Sequence, residues 1–88
     1  MNGNEMNDTN GQDQRPLTFG EKAVGLNFNP SGDPDVHKCK MAYALLIDNL
    51  DAFRKVSQSV EASRMCSVAI TGLQTSQMWA VKALTWRD

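Results

Sequence analysis

An apolar stripe with helical spacing between residues 34 and 56 most constrains what this chain can fold into. The stripe consists of Val36, Cys39, Tyr43, Leu46, Leu50 and Phe53. Consecutive members are three or four residues apart, which places all six on one face of a helix. This spacing predicts a long helix that packs against a second helix, as in a coiled coil.

Local signals define where the first long helix begins. Asn29–Gly32 has proline at its second position and glycine at its fourth, which predicts a type I turn. Asp33 then suits the N-cap, and Pro34 suits the first helical position, where its missing N–H costs nothing. We expect a helix from Pro34 to about Val56. The side chains expected on its solvated outer face are Asp35, Lys38, Asp48 and Arg54.

A second helix is predicted after the short polar turn Ser57–Ser59, from about Val60 to Leu84. Its apolar residues form two stripes, a wider surface than one partner helix can cover. One stripe contains Met65, Val68, Ala69, Gly72, Ser76, Trp79 and Ala83, and the other contains Ile70, Leu73, Val81 and Leu84. The predicted fold class is therefore all-α: an antiparallel two-helix hairpin that follows an extended N-terminal segment. A hairpin of this size buries too little surface to be stable alone, so we expect a compact homo-oligomer.

The chain divides into a polar arm and one domain. Residues 1–16 contain only two apolar side chains, both methionines, and we expect them to be a disordered arm. Residues 17–88 should form the helical hairpin, a domain for oligomerisation and ligand binding. This domain has eight basic and seven acidic side chains, whereas proteins that bind duplex nucleic acid present a dense basic face. We therefore expect no DNA partner.

Composition also bears on redox state, metals and membranes. In an antiparallel hairpin Cys39 and Cys66 would lie about 15 Å apart along the helices, too far for a disulfide, so both should be reduced. With one histidine and no paired cysteines, we expect no metal and no cofactor.

No apolar stretch approaches the ~18 residues that a membrane span needs, and no targeting segment is evident. The protein should stay in the compartment in which it is made.

Several runs of residues resemble a known family. They are Gly20–Gly25, Phe28–Gly32, Ala44–Asp48, Arg64, Thr71–Gln74 and Met78–Ala83. In this order and spacing they resemble the hairpin domain that the phage anti-CBASS sponge (CBASS is cyclic-oligonucleotide-based antiphage signalling) shares with the anti-Thoeris sponge. The resemblance extends over roughly Leu17 to Trp86. It implies a homohexamer in the cytoplasm of the host bacterium. Such a protein binds cyclic dinucleotide messengers, and in some members cyclic trinucleotides, without cleaving them.

The resemblance also implies site residues. The family's dinucleotide pocket lies between subunits and uses an aromatic residue before the hairpin, for which Phe28 is the candidate. It also uses a lysine on the first helix. Counting back from Ala44–Asp48 without a gap gives His37, with Lys38 and Lys40 one and three residues later, so all three remain candidates. Lys22 in the extended segment is a further candidate, and Arg64 matches the arginine of the trinucleotide pocket.

Four of these residues also have an ordinary structural interpretation. Phe28 could be a lid on the hairpin's own core, Lys40 a surface lysine at the helix edge, and Arg64 part of an ion pair between subunits. His37 is typical of a solvent-facing helical residue.

Three other functions compete with the sponge. A structural or adaptor oligomer without a nucleotide ligand is the main alternative. A phosphodiesterase is disfavoured because the chain lacks an evident acid–base pair, and we expect no enzymatic activity. A helix-turn-helix DNA reader would need shorter helices and more positive charge.

Overall fold

The computed structural model describes residues 15–88, and over that range its secondary structure consists of three helices without a strand. Helix α1 spans Phe19–Ala23, α2 spans Pro34–Val56 and α3 spans Val60–Leu84. The arm predicted for residues 1–16 lies almost entirely outside the described residues, so its disorder stays a prediction.

The helical hairpin is confirmed, and α2 and α3 begin and end where the sequence predicts. At the start of α2, the Asp33 carboxylate accepts a hydrogen bond from the Asp35 N–H at 2.8 Å. At the start of α3, the Ser59 hydroxyl accepts one from the Ala62 N–H at 3.0 Å. These N-caps satisfy backbone donors that have no partner within the helix.

Two side-chain contacts show that α2 and α3 run antiparallel. The hydroxyls of Tyr43 and Ser76 lie 2.7 Å apart. Nearer the turn, the Arg54 guanidinium donates to the Ser67 hydroxyl at 2.9 Å. As the residue number rises along α2 it falls along α3, which is the relation that antiparallel helices require.

The buried face of α2 is rotated from the stripe that the sequence indicates. Of the six stripe residues only Val36 is buried, while Leu46 and Phe53 are exposed. The residues of α2 that are buried are Val36, Lys40, Ala44, Ile47 and Asp51. The reason is that α1 and its flanking loops pack on this side of α2, and the core forms from Val24, Leu26, Ala44, Ile47 and Ile70.

The expectation of an extended segment before the hairpin is wrong at residues 19–23, which form α1. A capping box starts this helix: the Glu21 N–H donates to the Thr18 hydroxyl at 3.1 Å, and the Thr18 N–H donates to the Glu21 carboxylate at 2.9 Å. The Asp48 carboxylate adds a hydrogen bond from the Gly20 N–H at 2.6 Å. Asp48 thus anchors α1 to α2 instead of lying on a solvated outer face.

The loop between α1 and α2 contains the predicted turn. The Gly32 N–H donates to the Asn29 carbonyl at 3.0 Å, which closes the four-residue turn Asn29–Gly32. Gly32 has a φ of 65°, a left-handed conformation that glycine adopts without steric cost. This turn brings residues 25–28 back across α2 and so positions Phe28.

Both cysteines are free thiols, Cys66 buried and Cys39 half-buried. Within residues 15–88, no helix combines the length and apolar character needed to cross a bilayer.

Candidate functional site

A groove of about 570 Å³ lies where the loop after α1 crosses α2 and meets the second half of α3. We call it the Phe28 groove. Its lining residues are Lys22, Ala23, Val24, Gly25, Phe28, Lys40, Gln74, Gln77, Met78 and Val81. Two lysines, two glutamines and apolar groups therefore face one concave surface, a mixture typical of sites for small organic ligands.

Phe28 presents an unusually accessible ring at the edge of the groove. Its residue is 73% exposed, so it does not act as a lid on the core of this chain. The ammonium group of Lys40 lies 5.6 Å from the centroid of the ring, within the range of a cation–π interaction. An exposed ring beside a fixed cation offers stacking to a flat base and attraction to an anion.

Lys40 points inward, contrary to the expectation that it extends from the helix edge. It is only 4% exposed, and its Nζ donates to the Gly25 carbonyl at 2.9 Å and to the Phe28 carbonyl at 2.5 Å. Lys40 points inward because the loop before α2 places the carbonyl oxygens of Gly25 and Phe28 within hydrogen-bond distance of its ammonium group. Lys40 thereby holds in place the loop that carries Phe28.

The burial of Lys40 affects its charge. Burial lowers the pKa of the Lys40 ammonium below its ordinary value, because a charge is less favourable away from water. An ammonium has three N–H donors, and the two carbonyls account for two of them. Within residues 15–88 the third N–H has no hydrogen-bond acceptor, and an anion placed beside it would favour the protonated form.

The remaining side chains of the groove add one cation and two amides. Lys22, exposed on α1, brings a second positive charge. The Gln74 amide donates to the Ala23 carbonyl at 3.1 Å, which ties α3 to the end of α1. Gln77, one turn further along α3, is buried against the groove.

His37 lies apart from the Phe28 groove. It lines a second cavity, of about 630 Å³, on the α2 N-terminal side of the loop, together with Lys38, Asn27, Asn29 and Met41. Of the three candidates for the family's lysine position, only Lys40 therefore shares a cavity with Phe28.

Arg64 lies near the start of α3 and lines neither cavity. Its side chain is 62% exposed and forms two hydrogen bonds to Glu61, from Nε to Oε1 at 3.0 Å and from Nη2 to Oε2 at 2.6 Å. This pair lowers the pKa of the Glu61 carboxyl. An exposed pair of this kind costs little to open, so the guanidinium is available for another anion.

Sequence reasoning missed the two glutamines of the groove. A signal for Gln77 does exist, because Cys66, Ile70 and Leu73 precede it with steps of four, three and four residues. These three side chains are buried or half-buried on the face of α3 that packs on α2. No comparable pattern reveals Gln74, whose contact with Ala23 joins residues 51 positions apart.

One comparison with known proteins gives a match. The family model described as Acb2/Tad1, hairpin domain, matches residues 21–85. This range includes α2, α3 and every residue that lines the Phe28 groove. Searches of curated proteins and of solved structures give no significant match.

Proposed function

Because the chain belongs to the Acb2/Tad1 hairpin-domain family, we propose that it is a phage anti-defence sponge. It would sequester cyclic dinucleotide messengers, cyclic trinucleotide messengers or both, without cleaving them, and so keep the host's effectors inactive in the host cytoplasm. The observation that carries this proposal is the exposed Phe28 ring beside the buried Lys40 ammonium, 5.6 Å apart, in one groove.

The chemistry of the groove supports this ligand class. A cyclic dinucleotide presents two phosphates and two flat bases, so its site needs cations and an aromatic surface. Stacking of one base on Phe28 would contribute about 1–3 kcal/mol. Lys22 and the third N–H of Lys40 supply donors and positive charge for a phosphate. The volume of the groove is within the ~300–1,000 Å³ typical of pockets for small ligands.

We further propose that the protein assembles as a homohexamer. The single chain leaves many large apolar side chains exposed, among them Leu46, Met65, Val68 and Trp79. Scattered apolar side chains are ordinary on a surface, but continuous stripes on two adjacent helices are typical of faces that pack against other subunits. The stoichiometry follows from the family resemblance, and the exposed stripes support association itself.

The decisive experiment measures depletion and recovery of the messenger. Excess protein is mixed with a panel of cyclic di- and trinucleotides, the protein is removed by filtration, and free nucleotide is quantified by chromatography. The retained protein is then denatured and the released nucleotide is identified. We expect depletion followed by recovery of intact cyclic nucleotide. Linear products would indicate a phosphodiesterase, and no depletion would indicate a structural or adaptor oligomer.

Phe28→Ala tests the groove as the dinucleotide site. We expect at least a tenfold loss of cyclic dinucleotide affinity in isothermal titration calorimetry, because the stacking surface is removed. Phe53→Ala is the matched control, since Phe53 is also an exposed phenylalanine but lies outside the groove. Equal affinity of Phe28→Ala and wild type would remove Phe28 from the site.

The trinucleotide part of the proposal depends on Arg64. An exposed guanidinium can exchange Glu61 for a phosphate with bidentate geometry. We expect Arg64→Ala to abolish cyclic trinucleotide binding and to retain dinucleotide binding and the mass of the oligomer. Loss of the oligomer instead would assign Arg64 to a contact between subunits.

A further inference from the structure

Gln77 occupies a position on α3 where the helical pattern predicts an apolar residue. It follows Cys66, Ile70 and Leu73 along the face that packs on α2, and it is only 5% exposed. Leu73 packs against the hydrophobic core, and Cys66 and Ile70 are buried. A buried polar side chain in such a stripe departs from the pattern that stabilises the helix, and departures of this kind cluster at functional sites.

Among residues 15–88, the Gln77 amide also has no hydrogen-bond partner. Within residues 15–88, neither its Nε2 donor nor its Oε1 acceptor is paired with another residue. The neighbouring Gln74 differs, because its Nε2 donates to the Ala23 carbonyl. Leaving an amide buried and unpaired is unfavourable, and the great majority of buried polar side chains have a partner.

A ligand bound in the Phe28 groove would supply the missing partner. Gln77 lines the Phe28 groove together with Phe28 and Lys40. A base stacked on the Phe28 ring would turn its edge, with its donors and acceptors, toward the walls of the groove. We propose that Gln77 is a base-recognition residue of this groove and that it reads adenine. This inference rests on the proposed function, since it assumes a cyclic dinucleotide in the groove.

Adenine suits the side chain because of the order of its polar groups. A glutamine amide presents one acceptor and one donor side by side. The 6-amino group of adenine is a donor and the adjacent ring nitrogen is an acceptor, so the two edges form a bidentate pair. In the free protein the amide is unsatisfied, and in the complex both of its groups are paired.

Gln77→Met separates this role from a structural one. Methionine keeps nearly the same length but removes the donor and the acceptor. We expect the melting temperature of the ligand-free protein to rise by a few degrees, because an unpaired buried amide is eliminated. We expect affinity for cyclic di-AMP to fall about tenfold, which corresponds to about 1.4 kcal/mol. The control is Gln58→Met, the same change at an exposed glutamine of the turn, which should leave cyclic di-AMP affinity unchanged.

A double-mutant cycle tests the contact itself. Wild type and Gln77→Met are each titrated with cyclic di-AMP and with the analogue in which hydrogen replaces both 6-amino groups. For wild type, removal of the amino groups should weaken binding about tenfold. For Gln77→Met the two ligands should bind equally. An equal loss in both proteins would show that Gln77 does not contact the amino group.

The outcomes distinguish this inference from the proposed function. If wild type binds none of the cyclic nucleotides, both fail. If it binds cyclic di-GMP but not cyclic di-AMP, or if Gln77→Met binds cyclic di-AMP as wild type does, only the inference about Gln77 is overturned. A lower melting temperature for Gln77→Met, together with loss of the oligomer, would assign the amide to a contact between copies of the chain and would also overturn it.

Discussion

At the residue scale, the close packing of α1 on α2 depends on the absence of one side chain. A Cβ on Gly20 would lie 2.1 Å from the carbonyl oxygen of Ala44, and 2.9 Å from its carbonyl carbon. At the same point the Gly20 N–H donates to Asp48 at 2.6 Å. Only glycine permits the backbone of α1 to approach α2 this closely, and this approach rotates the buried face of α2.

We predict that Gly20→Ala destabilises the fold by about 3 kcal/mol, because the atoms that a Cβ would meet belong to helical backbone, which cannot move aside easily. Thermal unfolding followed by circular dichroism measures the effect. Lys22→Ala is the control, since Lys22 is exposed on the same helix and its replacement should change stability by less than about 0.5 kcal/mol. An unchanged melting temperature for Gly20→Ala would mean that α1 does not pack on Ala44.

Lys40 both supports the loop and supplies a positive charge, and Lys40→Met removes both. Methionine keeps an apolar stem but cannot donate to Gly25 and Phe28, so we expect stability to fall by about 1–3 kcal/mol. Cyclic dinucleotide binding should also be lost, because Phe28 and the cation are both affected. Lys38→Met, an exposed lysine on the same helix, should leave both properties close to wild type. Wild-type stability of Lys40→Met in chemical denaturation would contradict the inward position of this residue.

At the scale of elements, α1 is too short to be stable alone and is held at both ends. Its first turn is closed by the capping box and by Asp48, and its last turn is bound by Gln74 from α3. Arg15 adds a bidentate ion pair to Glu21, with both N···O distances at 2.7 Å. Because the loop that carries Phe28 begins where α1 ends, these contacts also position the groove.

The ion pair of Glu21 predicts a pH dependence of stability. The hydrogen bonds from Arg15 and Thr18 lower the pKa of the Glu21 carboxyl from its ordinary 4.5 to about 2. A carboxyl with a lowered pKa in the folded state contributes stability above pH 4.5, and this contribution is lost as the pH falls from 4.5 to about 2. We expect melting temperature to fall across this window more steeply for wild type than for Glu21→Gln.

The measurement is a series of melting curves between pH 2 and 7 for both proteins. Asp51, whose pKa is also lowered through hydrogen bonds from Arg54 and Lys55, contributes in the same direction but equally in the two proteins. The difference between the two curves therefore isolates Glu21. Parallel curves would mean that Glu21 is not paired with Arg15 in solution.

At the scale of the whole molecule, the most informative surface is the first apolar stripe of α3, which contains Met65, Val68, Ala69, Gly72, Ser76, Trp79 and Ala83. All seven residues of this stripe, from Met65 to Ala83, are exposed in the single chain. A Cβ added to Gly72, in the middle of the stripe, would meet no atom within 4 Å. Such a surface allows a second backbone to come close, so we place a subunit contact of the proposed oligomer here.

Gly72→Leu tests this placement. The open space around Gly72 predicts that helical content is kept, while a large side chain on the contact surface should reduce the mass of the oligomer. Size-exclusion chromatography with light scattering measures the mass, and circular dichroism measures helical content. Gln58→Leu, which adds the same side chain at the exposed turn, should retain the wild-type mass. A wild-type mass for Gly72→Leu would place the contact elsewhere.

Features that depend on contacts between residues close in sequence could be predicted from the sequence, and features that depend on contacts between distant residues could not. Asp33, Pro34 and Ser59 act on backbone groups within three residues, so the helix ends could be read from local sequence. Phe28 and Lys40 could be predicted as candidates, but their contact joins residues twelve positions apart and depends on how the loop between α1 and α2 folds back over α2. The inward position of Lys40 and the burial of Gln77 depend on how that loop and α3 pack on α2, which local sequence does not specify.

The sequence by itself determined the hairpin: its two long helices, their caps, the turn between them and the excess of apolar surface. These features follow from spacing and from local hydrogen bonding, which act over a few residues. The tertiary structure alone decided which face of α2 is buried, because α1 can rest only where Gly20 admits the Ala44 backbone. That docking depends on contacts between residues far apart in the chain, and it is what brings Phe28, Lys40 and Gln77 into one groove.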